Sequence, residues 1–355
     1  MDVGIVTMIG NNNYGNRLQN YALQEALKAL GHKPITIRNN IIFNTEVSLP
    51  RVLAWRTWCC LRGQRGKKPQ ENNARRRKFE EFNRNIQFTK RLYYGSRKYD
   101  SCDYYIAGSD QIWNPYDRMY PLDLLCFARP EKRISYAASF GISALPEEKK
   151  TLARRELEKF KAISIREDTG KRIVEELTGR TDVKVVIDPT MLLTAQQWDQ
   201  VAKKPKMLDT DRYILNYFLG SVSDKQKAAI DAVAKEHGCE VINILDKNSP
   251  YYACGPAEFL YLEKHAYLIC TDSFHSSVFA VLYNRPFVVF ERPAKVGWSM
   301  NSRLETLLDK FQLTGRMFNG KNITEENLRH DYSNAYVLLE KEREAATCFL
   351  KQHLI

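Results

Sequence analysis

The chain has six histidines, the side chains best suited to move a proton near neutral pH. Their places along the sequence separate them. His32 and His237 sit in GH and HG turns that leave a helix and enter a strand. His265 ends a helix ahead of the apolar run YLIC, and His330 and His353 lie in the C-terminal tail. His275 differs from these. It lies in CTDSFHSSV, residues 270–278, after a short apolar run and before an amphipathic one. In open parallel sheets, ligands bind beyond the carboxyl ends of the strands. His275 is the histidine expected at that edge. Two readings fit the stretch. In one, Asp272 or Ser273 caps a helix whose first turn tolerates Ser276 and Ser277. In the other, His275 is a general acid or base at a helix N-terminus whose free amides attract an anion. The two readings are compatible.

Other polar groups fall at the same kind of edge. The loop in IGNNNYGNRLQN carries Asn13, Tyr14 and Asn16. It reads either as a tight turn or as a loop whose amides and side chains touch a ligand. It is not G-x-G-x-x-G, and Arg38 rather than an acidic residue follows the next strand, which argues against a dinucleotide site. In AGSDQIWN, residues 107–114, Gly108 and Ser109 allow close approach of a ligand, and Asp110 and Gln111 follow. Asp110 reads as a cap or as a group that orients a ligand. ISIRE puts Arg166 at a strand end, either paired with Glu167 or presenting its planar fork to a carboxylate or phosphate. Arg292, Lys295 and Arg303 follow the strand PFVVF, as solvated cations or as anion ligands.

These residues need a scaffold, and the hydrophobic pattern supplies one. Residues 4–37 read strand, polar loop, amphipathic helix, Gly31, strand, with Leu18, Tyr21, Ala22, Ala26, Ala29 and Leu30 at helical spacing. Residues 213–245 repeat that order. Each is a β-α-β opening, and two of them far apart predict an α/β protein of two doubly wound, Rossmann-like domains. DYYIAGSDQIW, KRISYAASFG, FKAISIRE and VKVVIDPT supply further strands of the first domain. AKKPKMLDTDR, residues 202–212, reads as the linker. The predicted division is an N-terminal domain over 1–205, a C-terminal domain over 206–330, and a last helix over 331–355 that crosses back.

Composition narrows the setting. No signal peptide is read at the N-terminus, and no run approaches the roughly 18 apolar residues of a membrane span. The eight cysteines show neither C-x-x-C pairs nor histidines at zinc spacing, so neither disulfides nor a metal are expected. A cytoplasmic location follows. Residues 51–98, within an insert over about 45–98, hold 15 Lys or Arg against 3 Glu, which accounts for the whole net charge of +12. No nucleic-acid motif accompanies them, so no nucleic-acid partner is expected. Leu53, Trp55 and Trp58 among the arginines suggest instead a segment peripheral to the inner face of a membrane.

Taken in order, NNNYGNRLQNYALQ, IAGSDQIWN, SYAASFG, ISIRE, VVIDPTMLL, TDSFHSS and PFVVFER resemble the polysaccharide pyruvyl transferase family, over about residues 3–303. The resemblance implies a GT-B-like fold, with the two domains facing a cleft. It also implies transfer of the enolpyruvyl group of phosphoenolpyruvate onto two hydroxyls of one sugar, giving a cyclic pyruvate ketal and phosphate. No cofactor is implied beyond the donor substrate, and the acceptor is a polysaccharide or lipid-linked sugar. His275 matches the family's histidine, Arg166 the arginine of its (V/I)RE motif, and Lys295 its following lysine. Where many members have the arginine of R-L-H, this chain has Ser273, which leaves Arg292 or Arg303 to replace the contact. The expected donor side is then Arg166, Ser273, Phe274, Ser276, Arg292, Lys295 and Arg303, with His275 and Asp272 catalytic. The expected acceptor side is Asn13, Tyr14, Asn16, Gly108, Ser109, Asp110 and Gln111. A nucleotide-sugar glycosyltransferase and a non-catalytic saccharide-binding relative are the competing readings.

Overall fold

The computed structural model describes residues 1–10, 13–38, 73–89, 101–116, 118–292 and 302–355. The first sheet has six parallel strands. In chain order its elements are β1 (Asp2–Val6), α1 (Tyr14–Ala29), β2 (Lys33–Thr36), α2 (Asn73–Phe82), β3 (Tyr104–Ala107), β4 (Arg133–Ala138), α3 (Glu147–Leu157), β5 (Ala162–Ile165), α4 (Asp168–Thr178) and β6 (Lys184–Val185). The strand order is β2-β1-β3-β4-β5-β6. After α5 (Ala195–Asp199) comes a second parallel sheet, ordered β10-β9-β7-β8. It is built from β7 (Tyr213–Tyr217), α6 (Asp224–His237), β8 (Glu240–Asn243), α7 (Pro256–His265), β9 (Leu268–Thr271), α8 (Phe274–Leu282) and β10 (Phe287–Val289). The chain closes with α9 (Ser302–Lys310), α10 (Glu325–Leu328) and α11 (Ser333–His353).

Local chemistry explains these elements. Every residue of β4 and β9 is buried, as expected for strands covered by helices on both faces. Helix α6 starts at a reciprocal capping box between Ser223 and Gln226, and ends where Gly238 takes a left-handed φ of 62°. Both β-α-β openings read from the sequence are present.

The largest core is shared between the sheets. It joins Val3 and Ile5 of β1 and Leu18 of α1 to Ile269 of β9, Phe279 of α8 and Leu339 and Leu350 of α11. Helix α11 reaches both halves. Arg343 donates to the carbonyls of Met191 (2.7 Å) and Leu193 (2.8 Å), and Tyr336 donates to that of Val281 (2.9 Å). Lys161 donates to the His353 carbonyl at 3.0 Å.

Residues 51–72 and 90–98 of the basic segment lie outside the described residues. Helix α2, within that segment, is wedged at the junction of the two halves. Arg75 is buried and donates to the Tyr14 hydroxyl and to the Tyr252 carbonyl (3.1 Å), and Lys78 pairs with Glu258 of α7 at 2.5 Å. No helix among the described residues is long and apolar enough to cross a membrane.

Tyr14, the first residue of α1, holds this seam together. Its ring stacks on Phe259 of α7 at 4.5 Å and on Phe79 of α2 at 5.4 Å, and its hydroxyl donates to the Cys254 carbonyl at 2.9 Å. Tyr14→Ala opens a cavity where three elements meet. The expected loss is about 3–5 kcal/mol, read as a lower urea midpoint.

Candidate active site at the domain junction

Helix α8 opens at the carboxyl end of β9, with Ser273 at the N-cap and His275 second in the helix. The side chain of His275 turns toward the other half of the protein. A Cβ built on Gly15, in the first turn of α1, would lie 2.1 Å from His275 Nδ1. Only a residue without a side chain fits there. The positive ends of two helix dipoles, one from each half, therefore meet at the imidazole. On its other side, Nε2 lies 3.7 Å from Asp188 Oδ2. That is too long for a hydrogen bond, and Nε2 is buried without a partner.

Asp188 is anchored on both oxygens. Oδ1 accepts from the Thr190 amide (3.0 Å) and hydroxyl (2.7 Å). Oδ2 accepts from Arg166 Nη1 (2.7 Å) and lies within reach of the Ser109 hydroxyl (2.8 Å). Arg166 bridges onward, donating through Nη2 to Asp110 Oδ1 at 3.1 Å, and its guanidinium lies 4.4 Å from the centre of the Phe274 ring. Arg303 of α9 approaches Asp110 at 3.8 Å. The Ser109 amide donates to Gln19 of α1 (3.2 Å), which donates to Thr7 (2.8 Å), so the loops after β1 and β3 are tied together. The carboxyl ends of four strands of the first sheet thus converge under the first turn of α8.

All these charges are buried. Burial pushes the Asp188 carboxyl up, but His275, Arg166 and the Thr190 amide outweigh it and hold the group well below the ordinary carboxylate range. Asp110 is likewise lowered, because Arg166, His275 and Arg303 overcome its burial. Burial, then Arg166, brings Arg303 down to about 10. Both carboxylates bond Arg166, and Arg303 lies farther off, 3.8 Å from Asp110. Glu167 stands apart. It accepts from the Ser139 hydroxyl (2.9 Å) and the Phe140 amide (3.0 Å), and burial raises it above the ordinary range in spite of Arg166 and Arg303.

Several expected site residues have other work. Asp272 is placed away from the role of orienting His275. Its carboxylate accepts from the Leu219 and Gly220 amides (2.7 Å each) and from Arg292 Nε (2.9 Å), tying the loop after β7 to the end of the β10 segment. Nor does it cap α8, where Ser273 holds the N-cap without a side-chain cap bond. Arg292 is spent largely on Asp272, donating also to its carbonyl at 2.9 Å. The Ser276 hydroxyl donates to buried Glu263 at 2.5 Å. Tyr14 packs in the seam with its hydroxyl bonded, and Asn13 caps α1 by accepting from the Asn16 amide at 3.3 Å. The Asn16 side-chain oxygen is buried without a partner. Gly108 has φ 131°, and a Cβ there would lie 2.2 Å from the Tyr136 carbonyl. Gln111 lies against Gly141. Lys295 falls outside the described residues.

Sequence reasoning missed Asp188 and Gly15. Asp188 was legible by the rule that found Arg166, since VVIDPT is an apolar run ending in a charged residue. Gly15 carried no such signal.

Two consequences can be measured. Gly15→Ala, although alanine is the better helix former, forces the His275 ring aside. It should shift the His275 ring resonances in a histidine-labelled spectrum and leave those of the other five in place. Glu167 binds its proton more tightly when folded, so its contribution is complete below about pH 4 and declines as pH rises through its raised folded value. Glu167→Gln keeps a carbonyl acceptor and cannot ionise. Thermal melts should show the variant gaining on the wild type as pH rises above about 4.5.

Known proteins resemble the chain at two levels. In overall structure it is similar to UDP-N-acetylglucosamine 2-epimerase from Rickettsia bellii, with a TM-score of 0.50 at 9% identity, covering 100% of this chain and 96% of that one. It is equally similar to a putative UDP-N-acetylglucosamine 2-epimerase from Listeria monocytogenes, with a TM-score of 0.50 at 10% identity and coverage of 98% and 90%. At such identities the likeness establishes the GT-B fold alone. None of the curated proteins matches. The family model described as polysaccharide pyruvyl transferase matches residues 13–293, which include Gly15, Asp110, Arg166, Asp188 and His275. The chain belongs to the polysaccharide pyruvyl transferase family.

Proposed function

We propose that this protein transfers the enolpyruvyl group of phosphoenolpyruvate to two hydroxyls of one sugar, in a polysaccharide or lipid-linked precursor, and releases phosphate. The observation that carries the reading is His275, buried at the meeting of two helix N-termini with Nε2 unbonded. An imidazole can move the protons this reaction requires, and the helix termini suit an anionic donor.

One sugar hydroxyl adds to C2 of phosphoenolpyruvate while a proton reaches C3, turning the methylene into a methyl group. The C2–O bond to phosphate then breaks, and the second hydroxyl closes the ketal and gives up its proton to the departing phosphate. His275 takes the hydroxyl proton and supplies the one for C3. Donor charge is met by the amides of α8 and by Arg303, whose Nε is buried without a partner and which stands in for the arginine that Ser273 replaces. Lys295 is assigned to the same anion.

The test is phosphate release from phosphoenolpyruvate with a panel of p-nitrophenyl hexosides. Wild type should turn over, and His275→Gln should be about 10²–10⁴-fold slower at unchanged thermal stability. Near wild-type release by His275→Gln would sink the proton-transfer role. A thermal shift with nucleotide sugars and none with phosphoenolpyruvate would instead favour a nucleotide-sugar glycosyltransferase. No shift with either would favour a non-catalytic saccharide binder.

A further inference from the structure

Arg166 reads naturally as a donor ligand, a strand-end arginine in a site for an anion. Its contacts argue otherwise. Both terminal nitrogens are bonded to carboxylates, Nη1 to Asp188 at 2.7 Å and Nη2 to Asp110 at 3.1 Å, the flat face rests on Phe274, and Nε alone is without a bond. The residue is 3% exposed. A guanidinium whose charge is matched by two buried carboxylates has little left for a third anion, and freeing it would strand both carboxylates.

Asp188 is the better-placed partner of His275. Its Oδ1 is fixed by Thr190 and its Oδ2 by Arg166 and Ser109, and Oδ2 is the oxygen that faces Nε2. The 3.7 Å gap is within a small ring movement of a hydrogen bond. Gly15 bounds the ring on the side of Nδ1. Among the described residues, Asp110 also acts on the imidazole, and Asp110 is in turn paired with Arg166 and approached by Arg303 of α9.

We propose that Asp188 is the positioning residue for His275, that Arg166 acts through Asp188 rather than on the donor, and that the pair is assembled across the domain junction. The carboxylate comes from the first half and the imidazole from the second. Asp188 then lies on the Nε2 side of the ring and Gly15 on the Nδ1 side, so the imidazole is fixed between the two halves. Asp188 needs no protonation change of its own. It fixes the ring and stabilises the imidazolium that forms when a sugar hydroxyl is deprotonated. This inference rests on the pyruvyl-transfer reading above.

The experiment compares wild type, Asp188→Asn, Arg166→Lys and the double variant in the phosphoenolpyruvate assay, with donor affinity measured separately by calorimetry. Lysine keeps the charge of Arg166 and loses its two-carboxylate bridge. Each single variant should lower kcat by about 10²-fold or more and leave the phosphoenolpyruvate Kd within about threefold. The double variant should be no slower than Asp188→Asn alone, as for residues that act as a unit. Multiplying effects in the double variant, or a phosphoenolpyruvate Kd weakened about tenfold by Arg166→Lys with kcat kept, would overturn the proposal. Should Asp188→Asn not fold, Thr190→Val removes one of its anchors. A lower kcat at unchanged donor Kd supports the proposal, and an unchanged kcat overturns it. An inactive wild type with every acceptor overturns the pyruvyl-transfer reading and this role together. An active wild type with a fully active Asp188→Asn overturns this role alone.

Discussion

A guanidinium buried between two carboxylates is stable only while all three stay together. Removing one partner of a buried ion pair typically costs about 3–5 kcal/mol, because the remaining charge has no water to turn to. Arg166, Asp110 and Asp188 are in that position. They come from the ends of β5 and β3 and from the turn after β6, so their mutual attraction sets where three strand ends meet. The surrounding polar groups follow that arrangement. Ser109 and Thr190 complete Asp188, Gln19 fixes Ser109, and Phe274 of the second half lies against the guanidinium.

The seam between the halves has a different character. Around Tyr14 it is aromatic and buried, with Phe79, Tyr217 and Phe259 packed on the ring. A few ångströms along α1 it becomes polar, where Gly15 gives way to His275. Apolar packing supplies cohesion without direction, while the charged set supplies direction with little net gain in energy. Side by side, they dock one domain on the other in a register that an apolar seam alone would not define.

Much of this was legible in the sequence, for physical reasons. Parallel strands covered on both faces are continuous apolar runs, so their carboxyl ends could be found and the polar residues there singled out. That route leads to His275, Arg166, Asp110 and Arg303. It failed at a turn and where partners are distant. Asp188 does end an apolar run, but standing before Pro189 it passes for an ordinary turn residue. Gly15 matters because of a residue 260 positions away, which local pattern cannot report. Asp272 looked like a cap or a partner for the histidine beside it, but its carboxylate meets a loop more than fifty residues earlier in the chain. The basic segment read as surface, yet Arg75 is buried, since an arginine stem and face can pack on aromatic rings while the nitrogens find carbonyls.

The return of α11 across both halves bears on how the protein is made. Its Leu339, Ala346 and Leu350 belong to the same core as Val3 and Ile5 at the opposite end of the chain. A ribosome delivers the first strand long before the last helix, so the first sheet emerges lacking part of its cover. Folding cannot be finished one domain at a time during synthesis, the usual route for chains of this size. The core that the first strand enters is completed only when the final helix is in place.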